Sequence, residues 1–207
     1  RSSFGVYESR TDLDTLNLNS STQNIFAHIE LNGGLVDETF RPLSIALGAR
    51  LNKHSTYGTN VTYEINPSVR IGGNALLYAS YSTGFNAPSL YQLYAPDKNY
   101  ISGIARGNKN LKPENSSSYE ISFKQAFGNS INMSVTYFNT IVDDAIENVY
   151  LWDNNIGIDT LGNSWTRDDF RGDTYLNVGK QTTNGVEFTL TSKITDNLFF
   201  SGNFSLV

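Results

Sequence analysis

The stretch Leu43–Asn52 reads LSIALGARLN, and its side chains alternate strictly between large apolar residues and small or polar ones. A β-strand turns successive side chains to opposite faces, so a period of two predicts a strand. One face of this strand is apolar and the other is polar. The apolar positions are Leu43, Ile45, Leu47, Ala49 and Leu51.

The same alternation returns along most of the chain. It is clear in four segments and weaker in two, and one long segment keeps a single parity throughout. With a remnant at Phe4–Tyr7, the pattern predicts an all-β fold of about eight strands. The clear segments are Val61–Ile71, Tyr119–Phe127, Ile131–Tyr137 and Leu198–Leu206; the weaker are Ile25–Leu31 and Ala75–Thr83; the long one is Tyr175–Ile194.

The connections between these strands are of two kinds that alternate along the chain. Short turns are predicted at 72–74, 128–130 and 195–197, with a looser one at 32–42, and longer polar connections at 53–60, 84–116 and 143–173. Strands of about ten residues exceed the usual soluble length and match a tilted membrane crossing. The pattern is typical of an antiparallel transmembrane β-barrel with periplasmic turns and extracellular loops. A soluble β-sandwich, which also alternates, stays open as an alternative.

Composition removes several other classes of protein. The 207 residues include no cysteine, so disulfide frameworks and thiolate chemistry are excluded. The net charge of −5 and scattered basic residues argue against a nucleic-acid partner. The chain has only two histidines, His28 and His54, and neither is grouped with a nucleophile and an acid. The sequence therefore predicts no enzyme activity, and it implies no cofactor.

The charged residues of the predicted strands lie on the polar side of the alternation. Because mixed charges are costly against lipid, we expect them to face a hydrated interior. They are Arg50, Glu64, Arg70, Glu120, Lys124, Glu187 and Lys193. A solvated face of an ordinary sheet would explain any one of them equally well.

Two motifs lie in the middle of the chain. A strand ends in Gly84-Phe-Asn-Ala-Pro-Ser-Leu90, and Gly107-Asn-Lys-Asn-Leu-Lys-Pro-Glu114 leads into a Ser118-Tyr-Glu120 strand. These motifs resemble those of TonB-dependent outer-membrane receptors. The stretches 175–179 and 184–187 are similar to the next strand of that family. The motif sequences are most similar to its vitamin B12 and siderophore receptor branch. One departure is Asn86, where the family usually has arginine. The motif residues are Gly84, Phe85, Ala87, Pro88, Leu111, Pro113 and Glu114.

The resemblance implies a function and a setting. Residues 1–207 would be part of one receptor barrel, with the plug domain and the closing strands outside this chain. The whole protein would lie in the outer membrane of a Gram-negative bacterium, in contact with its lipid. It would bind a scarce nutrient, such as siderophore-iron or cobalamin, and import it with energy from a TonB-type coupling protein. A surface or soluble ligand-binding or adhesion module without transport is the alternative.

Aromatic side chains in the long connections are candidates for holding the nutrient, because they combine flat apolar faces with hydrogen-bonding groups. They are Tyr91, Tyr94, Tyr100, Trp152 and Trp165. An interfacial aromatic girdle is an equally good reading of the tyrosines. Asp153, Asn155 and Asp159 are spaced like calcium ligands, but the distal glutamate of a calcium loop is missing, so an ordinary solvated loop is favoured there.

Overall fold

The computed structural model describes residues 2–9, 18–95, 105–152 and 170–207. These residues form eleven strands and one short α-helix. Within the same ranges, no helix has the length and hydropathy needed to cross a membrane. The elements are β1 (Ser2–Ser9), β2 (Leu18–Asn32), β3 (Leu43–His54), β4 (Gly58–Ile71), β5 (Ala75–Asn86), α1 (Leu90–Tyr94), β6 (Glu114–Phe127), β7 (Ile131–Asp143), β8 (Ile146–Trp152), β9 (Phe170–Asn177), β10 (Lys180–Thr195) and β11 (Leu198–Leu206).

Nine of the strands form one continuous antiparallel sheet. Their order is β1-β2-β3-β4-β5-β6-β7-β10-β11, so each strand pairs with its neighbour in the chain except where β8 and β9 intervene. Those two pair with each other in a separate two-stranded sheet, which we call the outer hairpin. The arrangement confirms the predicted meander of about eight strands and the additional strand near the start of the chain.

The short turns lie at one end of the sheet, which we call the turn end. Gly72 and Gly73 have φ of 58° and 78°, and Gly128 has φ of 58°. Residues other than glycine rarely adopt these angles, so the glycines fix the turns at the predicted places. The looser turn after β2 contains two short 3-10 helices, Gly33–Leu35 and Glu38–Phe40. The remaining connections meet at the opposite, outer end.

Two predictions about the outer end are wrong. The connection expected at 53–60 is only a three-residue turn, because β3 and β4 stay paired up to His54 and Gly58. The segment Tyr175–Ile194 is not one strand: β9 ends at Asn177 and β10 begins at Lys180. Gly179, with φ of 98°, makes the break. The predicted loop 143–173 therefore contains most of the outer hairpin.

The strand register gives the sheet one apolar face and one polar face. A row of apolar residues crosses it from β4 to β11: Val69, Leu77, Phe123, Val135, Phe188 and Phe204. The adjoining row on the opposite face is polar: Ser68, Tyr78, Ser122, Thr136, Glu187 and Ser205. The alternation in the sequence therefore predicts both faces correctly across six neighbouring strands.

The apolar face is the exposed one. Ile121 is 56% exposed, whereas Ser122, its neighbour on the polar face, is fully buried. The buried apolar side chains of the described residues, Leu93, Ala95, Leu111 and Ala145, all lie outside the nine-stranded sheet. No second layer in the described chain covers the apolar face, as a β-sandwich would require. Such a large exposed apolar surface is typical of contact with lipid.

A row of tyrosines crosses the apolar face near its outer end. The rings of Tyr63 and Tyr81 lie 5.9 Å apart, Tyr119 is directly opposite Tyr81, and Tyr137 is opposite Ile121, one step further along β6. Tyrosine prefers the boundary between lipid and water, where its ring and its hydroxyl are both satisfied. The row therefore indicates the outer boundary of the apolar band, and Phe127 lies at its other boundary beside a turn.

Candidate functional site

The polar face of the sheet carries the charged residues singled out from the sequence. Three cavities of about 550, 450 and 460 Å³ lie along it, so this face is the concave one. The register places all seven predicted residues on this face: Arg50, Glu64, Arg70, Glu120, Lys124, Glu187 and Lys193.

The largest cavity is bordered by a small group of charged and aromatic side chains. Glu64 Oε1 lies 3.3 Å from His28 Nδ1, and the Arg50 guanidinium stacks over the Phe26 ring, 5.8 Å from its centroid. Gly48, between them on β3, leaves room for this contact, because a Cβ there would meet Glu64 Oε1 at 2.6 Å. The glycine lets the carboxylate reach across the strand.

A second group lies further along the same face. The Tyr78 hydroxyl donates to Glu120 Oε1 at 2.6 Å, and Lys124 Nζ lies 5.0 Å from the centre of the Tyr78 ring. The hydroxyls of Ser122 and Thr136 are 2.8 Å apart. These contacts join three neighbouring strands. They hold polar groups in place on a surface that can hydrogen-bond to water or to another polar surface.

The connection between β5 and β6 folds into a compact unit at the outer end. We call its described residues, 87–95 and 105–113, the loop cap. Its helix α1 begins with a capping box between Ser89 and Gln92, which satisfies backbone N–H groups that a short helix leaves free. Leu93, Ala95 and Leu111 are buried within it. The loop cap thus has a small hydrophobic core of its own, outside the apolar band of the sheet.

Side-chain amides tie the loop cap to the outer hairpin. Asn177 Nδ2 donates to the carbonyls of Lys112 and Asp144, at 3.0 and 2.7 Å, and its Oδ1 accepts from the Lys112 N–H at 2.9 Å. Asn108 Nδ2 donates to the Tyr175 carbonyl at 2.8 Å. The side-chain amide of Asn177 thereby joins two segments that are distant in the chain by hydrogen bonds.

An ion pair strengthens the same junction. Arg106 Nε lies 2.5 Å from Asp173 Oδ1, and Asn148 donates to the other carboxylate oxygen at 3.1 Å. The rings of Tyr91 and Tyr175 meet edge to face, 6.3 Å apart. Burial is the main cause that raises the pKa of Tyr175, and Tyr91 and Asp173 add to it. This phenol therefore stays neutral.

Glu114 is the hydrogen-bond partner of Asn86, the residue at which the motif departs from the usual family sequence. Its Oε2 accepts from Asn86 Nδ2 at 2.6 Å, and its Oε1 accepts from the N–H of Ile146 at 2.7 Å. One carboxylate thus joins the end of β5 to the start of β8. Asn86 supplies a neutral donor at the place where an arginine would supply a charged one.

The aromatic candidates of the loops have different positions. Tyr91 is exposed, and the ring of Tyr94 is covered by Lys109 Nζ at 5.4 Å. Trp152 is the last residue of β8. Tyr100, Trp165 and the three calcium candidates, Asp153, Asn155 and Asp159, lie outside the described residues.

Sequence reasoning missed Asn177, Arg106 and Asp173. Each acts through a partner that is far away in the chain. A single polar residue gives no periodic signal of a partner that lies so far away in the chain.

The sequence model of one protein family, described as TonB dependent receptor-like, beta-barrel, matches residues 3–206. This chain belongs to the TonB-dependent receptor β-barrel family. The resemblance read from the motifs at 84–90 and 107–114 is therefore confirmed. The loop cap and the strands on either side of it are the structural counterparts of those motifs.

Curated relatives of this TonB-dependent receptor chain include transporters and outer-membrane proteins. It is 34% identical over 97 residues to the vitamin B12 transporter BtuB of Photobacterium profundum, covering 47% of this chain and 14% of that protein. It is 29% identical over 212 residues to the iron-regulated outer membrane virulence protein of Vibrio cholerae, covering 98% of this chain and 31% of that protein. The chain spans less than a third of either relative. Their names agree with the expectation that the chain is not an enzyme.

Solved structures show the same fold. The siderophore receptor PirA of Pseudomonas aeruginosa superposes with a TM-score of 0.69 at 19% identity, covering 91% of this chain and 34% of that one. The ferric enterobactin receptor PfeA of the same organism gives 0.68 at 22% identity, covering 93% and 27%. These likenesses confirm the antiparallel β-barrel architecture, of which this chain forms an arc.

Proposed function

We propose that this chain is part of an outer-membrane receptor that binds a scarce nutrient and imports it with energy from a TonB-type coupling protein. The observation that supports this proposal most strongly is a single sheet with one apolar face and one polar face. Its convex face is apolar over six strands and bounded by tyrosines, and its concave face carries charges and cavities. Together with membership of the family, this arrangement supports a barrel wall that separates lipid from a hydrated interior.

The extent of the matches supports a larger whole protein. Residues 1–207 cover 31% of one relative and 34% of one solved receptor. We infer that these residues form part of one barrel domain, and that the closing strands and a plug domain belong to the rest of the protein. Backbone N–H and C=O groups in lipid must be paired, so β1 and β11 need neighbouring strands to complete the barrel.

The concave face supports a movable plug. Its charged side chains are of both signs, and several have hydrogen-bond partners on the sheet itself. A polar, hydrated contact can exchange its bonds with water more readily than a dry apolar one. We propose that the seven charged residues line the interior and meet the plug through such bonds.

The loop cap supports cargo binding at the outer mouth. Tyr91 presents an exposed ring beside Arg106 and Tyr175, a mixture of aromatic and charged groups suited to a polar, aromatic nutrient. We infer a cargo in the class of siderophore-iron or cobalamin from the names of the relatives. The roles of Tyr94, Tyr100, Trp152 and Trp165 in binding stay predictions.

An uptake assay tests this function. Cells that lack their own receptors would express the full-length protein and be given labelled cobalamin or a panel of labelled ferric siderophores. We expect accumulation of one cargo class, and its loss in a strain without the coupling protein. Undiminished uptake in that strain would indicate a passive pore. Surface binding without uptake would favour the adhesion module.

A further inference from the structure

The His54 side chain closes the turn between β3 and β4 through both of its ring nitrogens. Nδ1 accepts hydrogen bonds from the N–H groups of Thr56 and Tyr57, at 3.1 and 3.3 Å. Because a nitrogen that accepts bears no proton, the network assigns the proton to Nε2. That nitrogen lies 3.0 Å from Ser20 Oγ on β2, to which it donates. The closed turn therefore requires a neutral imidazole.

The same turn is attached to the loop cap. The rings of His54 and Tyr57 lie 5.2 Å apart, and the Tyr57 hydroxyl donates to the Leu111 carbonyl at 3.1 Å. Leu111 is buried at the centre of the loop cap. A movement of the turn that withdraws Tyr57 would break this bond and loosen the loop cap.

His54 lies beyond the apolar band. It pairs with Gly58, which precedes Tyr63 of the tyrosine row by five residues of β4. At about 3.3 Å per residue this is about 16 Å along the strand on the outer side. His54 can therefore exchange protons with the outside medium when the turn opens, although it is only 8% exposed in the closed form.

The surroundings of His54 favour its neutral form. Burial lowers its pKa below the ordinary histidine value of 6.5. The described contacts lead from His54 to Tyr57 in the turn, from Tyr57 to Tyr94 in α1, and from Tyr94 to Lys109 over its ring. Lys53 precedes His54 on β3. β2 contacts His54 through the Ser20 hydroxyl and pairs with it at Thr22, and β1 sets Tyr7 opposite Ser20. No carboxylate in the described contacts stabilises the imidazolium.

We propose that His54 is a proton-sensitive catch that holds the β3–β4 turn closed and so holds Tyr57 against the loop cap. A protonated Nδ1 cannot accept, so protonation forces two backbone N–H groups to lose their partner. The closed form keeps its full stability above the ordinary histidine pKa of 6.5 and loses it as the pH falls from there through the lowered pKa of the closed form. Acid outside the cell would therefore loosen the outer mouth.

The variant His54→Asn provides a matched control. Its side-chain oxygen can take the place of Nδ1 as acceptor for the turn N–H groups, and it does not titrate in this range. Tyr57→Phe keeps the ring beside His54 but removes the hydroxyl that reaches Leu111. The first variant tests the proton, and the second tests the connection to the loop cap.

The experiment uses the full-length receptor in lipid vesicles with single spin labels. The labels replace the exposed residues Thr56 in the turn and Asn110 in the loop cap, and the 207 residues contain no competing cysteine. Between about pH 8 and about pH 5, we expect the mobile fraction at both sites to rise at least about twofold and to recover on return.

In His54→Asn both signals should stay constant across this range. In Tyr57→Phe the Thr56 label should still respond, while the Asn110 label should not. If the mobility of the Thr56 label does not change with pH, or changes equally in His54→Asn, His54 does not control the turn and the proposal is wrong. A response at Asn110 that persists in Tyr57→Phe would overturn the connection to the loop cap. These outcomes do not depend on the identity of the cargo.

Discussion

Phe188 and Glu187 are adjacent on β10 and point to opposite faces of the sheet at the same depth. Phe188 lies opposite Val135 and Phe204 in the apolar row, and Glu187 lies opposite Thr136 in the polar row. Phe188→Lys places a charge on the face assigned to lipid. Glu187→Lys places the same side chain on the face assigned to water, so it is the matched control.

The expected difference follows from the cost of a charge in a bilayer. A lysine on the lipid face near the midplane costs about 2–4 kcal/mol, falling towards zero near the interfaces. Since about 1.4 kcal/mol is a factor of ten, Phe188→Lys should reduce the folding equilibrium constant by about 30- to 700-fold. Glu187→Lys stays in contact with water, and its free energy of unfolding should change by less than about 1 kcal/mol.

Guanidinium titration of the full-length receptor in phospholipid vesicles measures both values under one set of conditions. The two variants should also differ in the fraction that reaches the folded, heat-resistant form on a gel. Equal destabilisation by the two lysines, or greater destabilisation by the one at Glu187, would refute the assignment of the faces.

Three further predictions concern local contacts. Glu114→Gln weakens an acceptor shared by Asn86 and the first N–H of β8, so this junction should lose about 1–3 kcal/mol and its amide protons should exchange faster. Asn86→Arg should preserve the junction, because its charged donor can still bind the carboxylate. Equal amide exchange in both variants would argue against the shared carboxylate. Gly185→Ala sets a Cβ against a backbone carbonyl of β11. It should lower the free energy of unfolding more than Gly128→Ala, whose Cβ meets no atom and which costs about 1–2 kcal/mol because of the positive φ. A lower denaturation midpoint for Gly128→Ala than for Gly185→Ala would contradict the register. Tyr81→Ser removes one ring of the tyrosine row and should lower the folded fraction on insertion into vesicles, compared with Tyr81→Trp; equal yields would remove Tyr81 from the membrane boundary.

The sequence predicts the faces of the strands well because side-chain alternation is local. The pleat of the strand alone determines on which face of the sheet residues such as Leu47 and Phe123 lie, whichever strand is the neighbour. The turn glycines are predictable for the same reason, since their positive φ is a local requirement. The break between β9 and β10 is not predictable in this way. Both strands keep the same parity through it, and only the backbone at Gly179 shows that the chain leaves the sheet.

The junction at the outer end could not be predicted from local patterns. Asn177 and Lys112 are 65 residues apart in the chain, and Arg106 and Asp173 are 67 apart. No period connects such pairs. The family motif indicated where the loop cap begins and ends, but it did not indicate that Glu114 would join Asn86 to the outer hairpin.

The assignment of the convex face to lipid and the concave face to water can be tested by spin-label accessibility in the full-length receptor in vesicles. Single labels would replace Leu47, Phe123 and Phe188 on one face and Glu64, Glu120 and Glu187 on the other. The first three should collide mainly with oxygen, which concentrates in lipid, and the second three mainly with a water-soluble nickel complex. Nickel access at Leu47, Phe123 and Phe188 together with oxygen access at the glutamate positions would contradict the account.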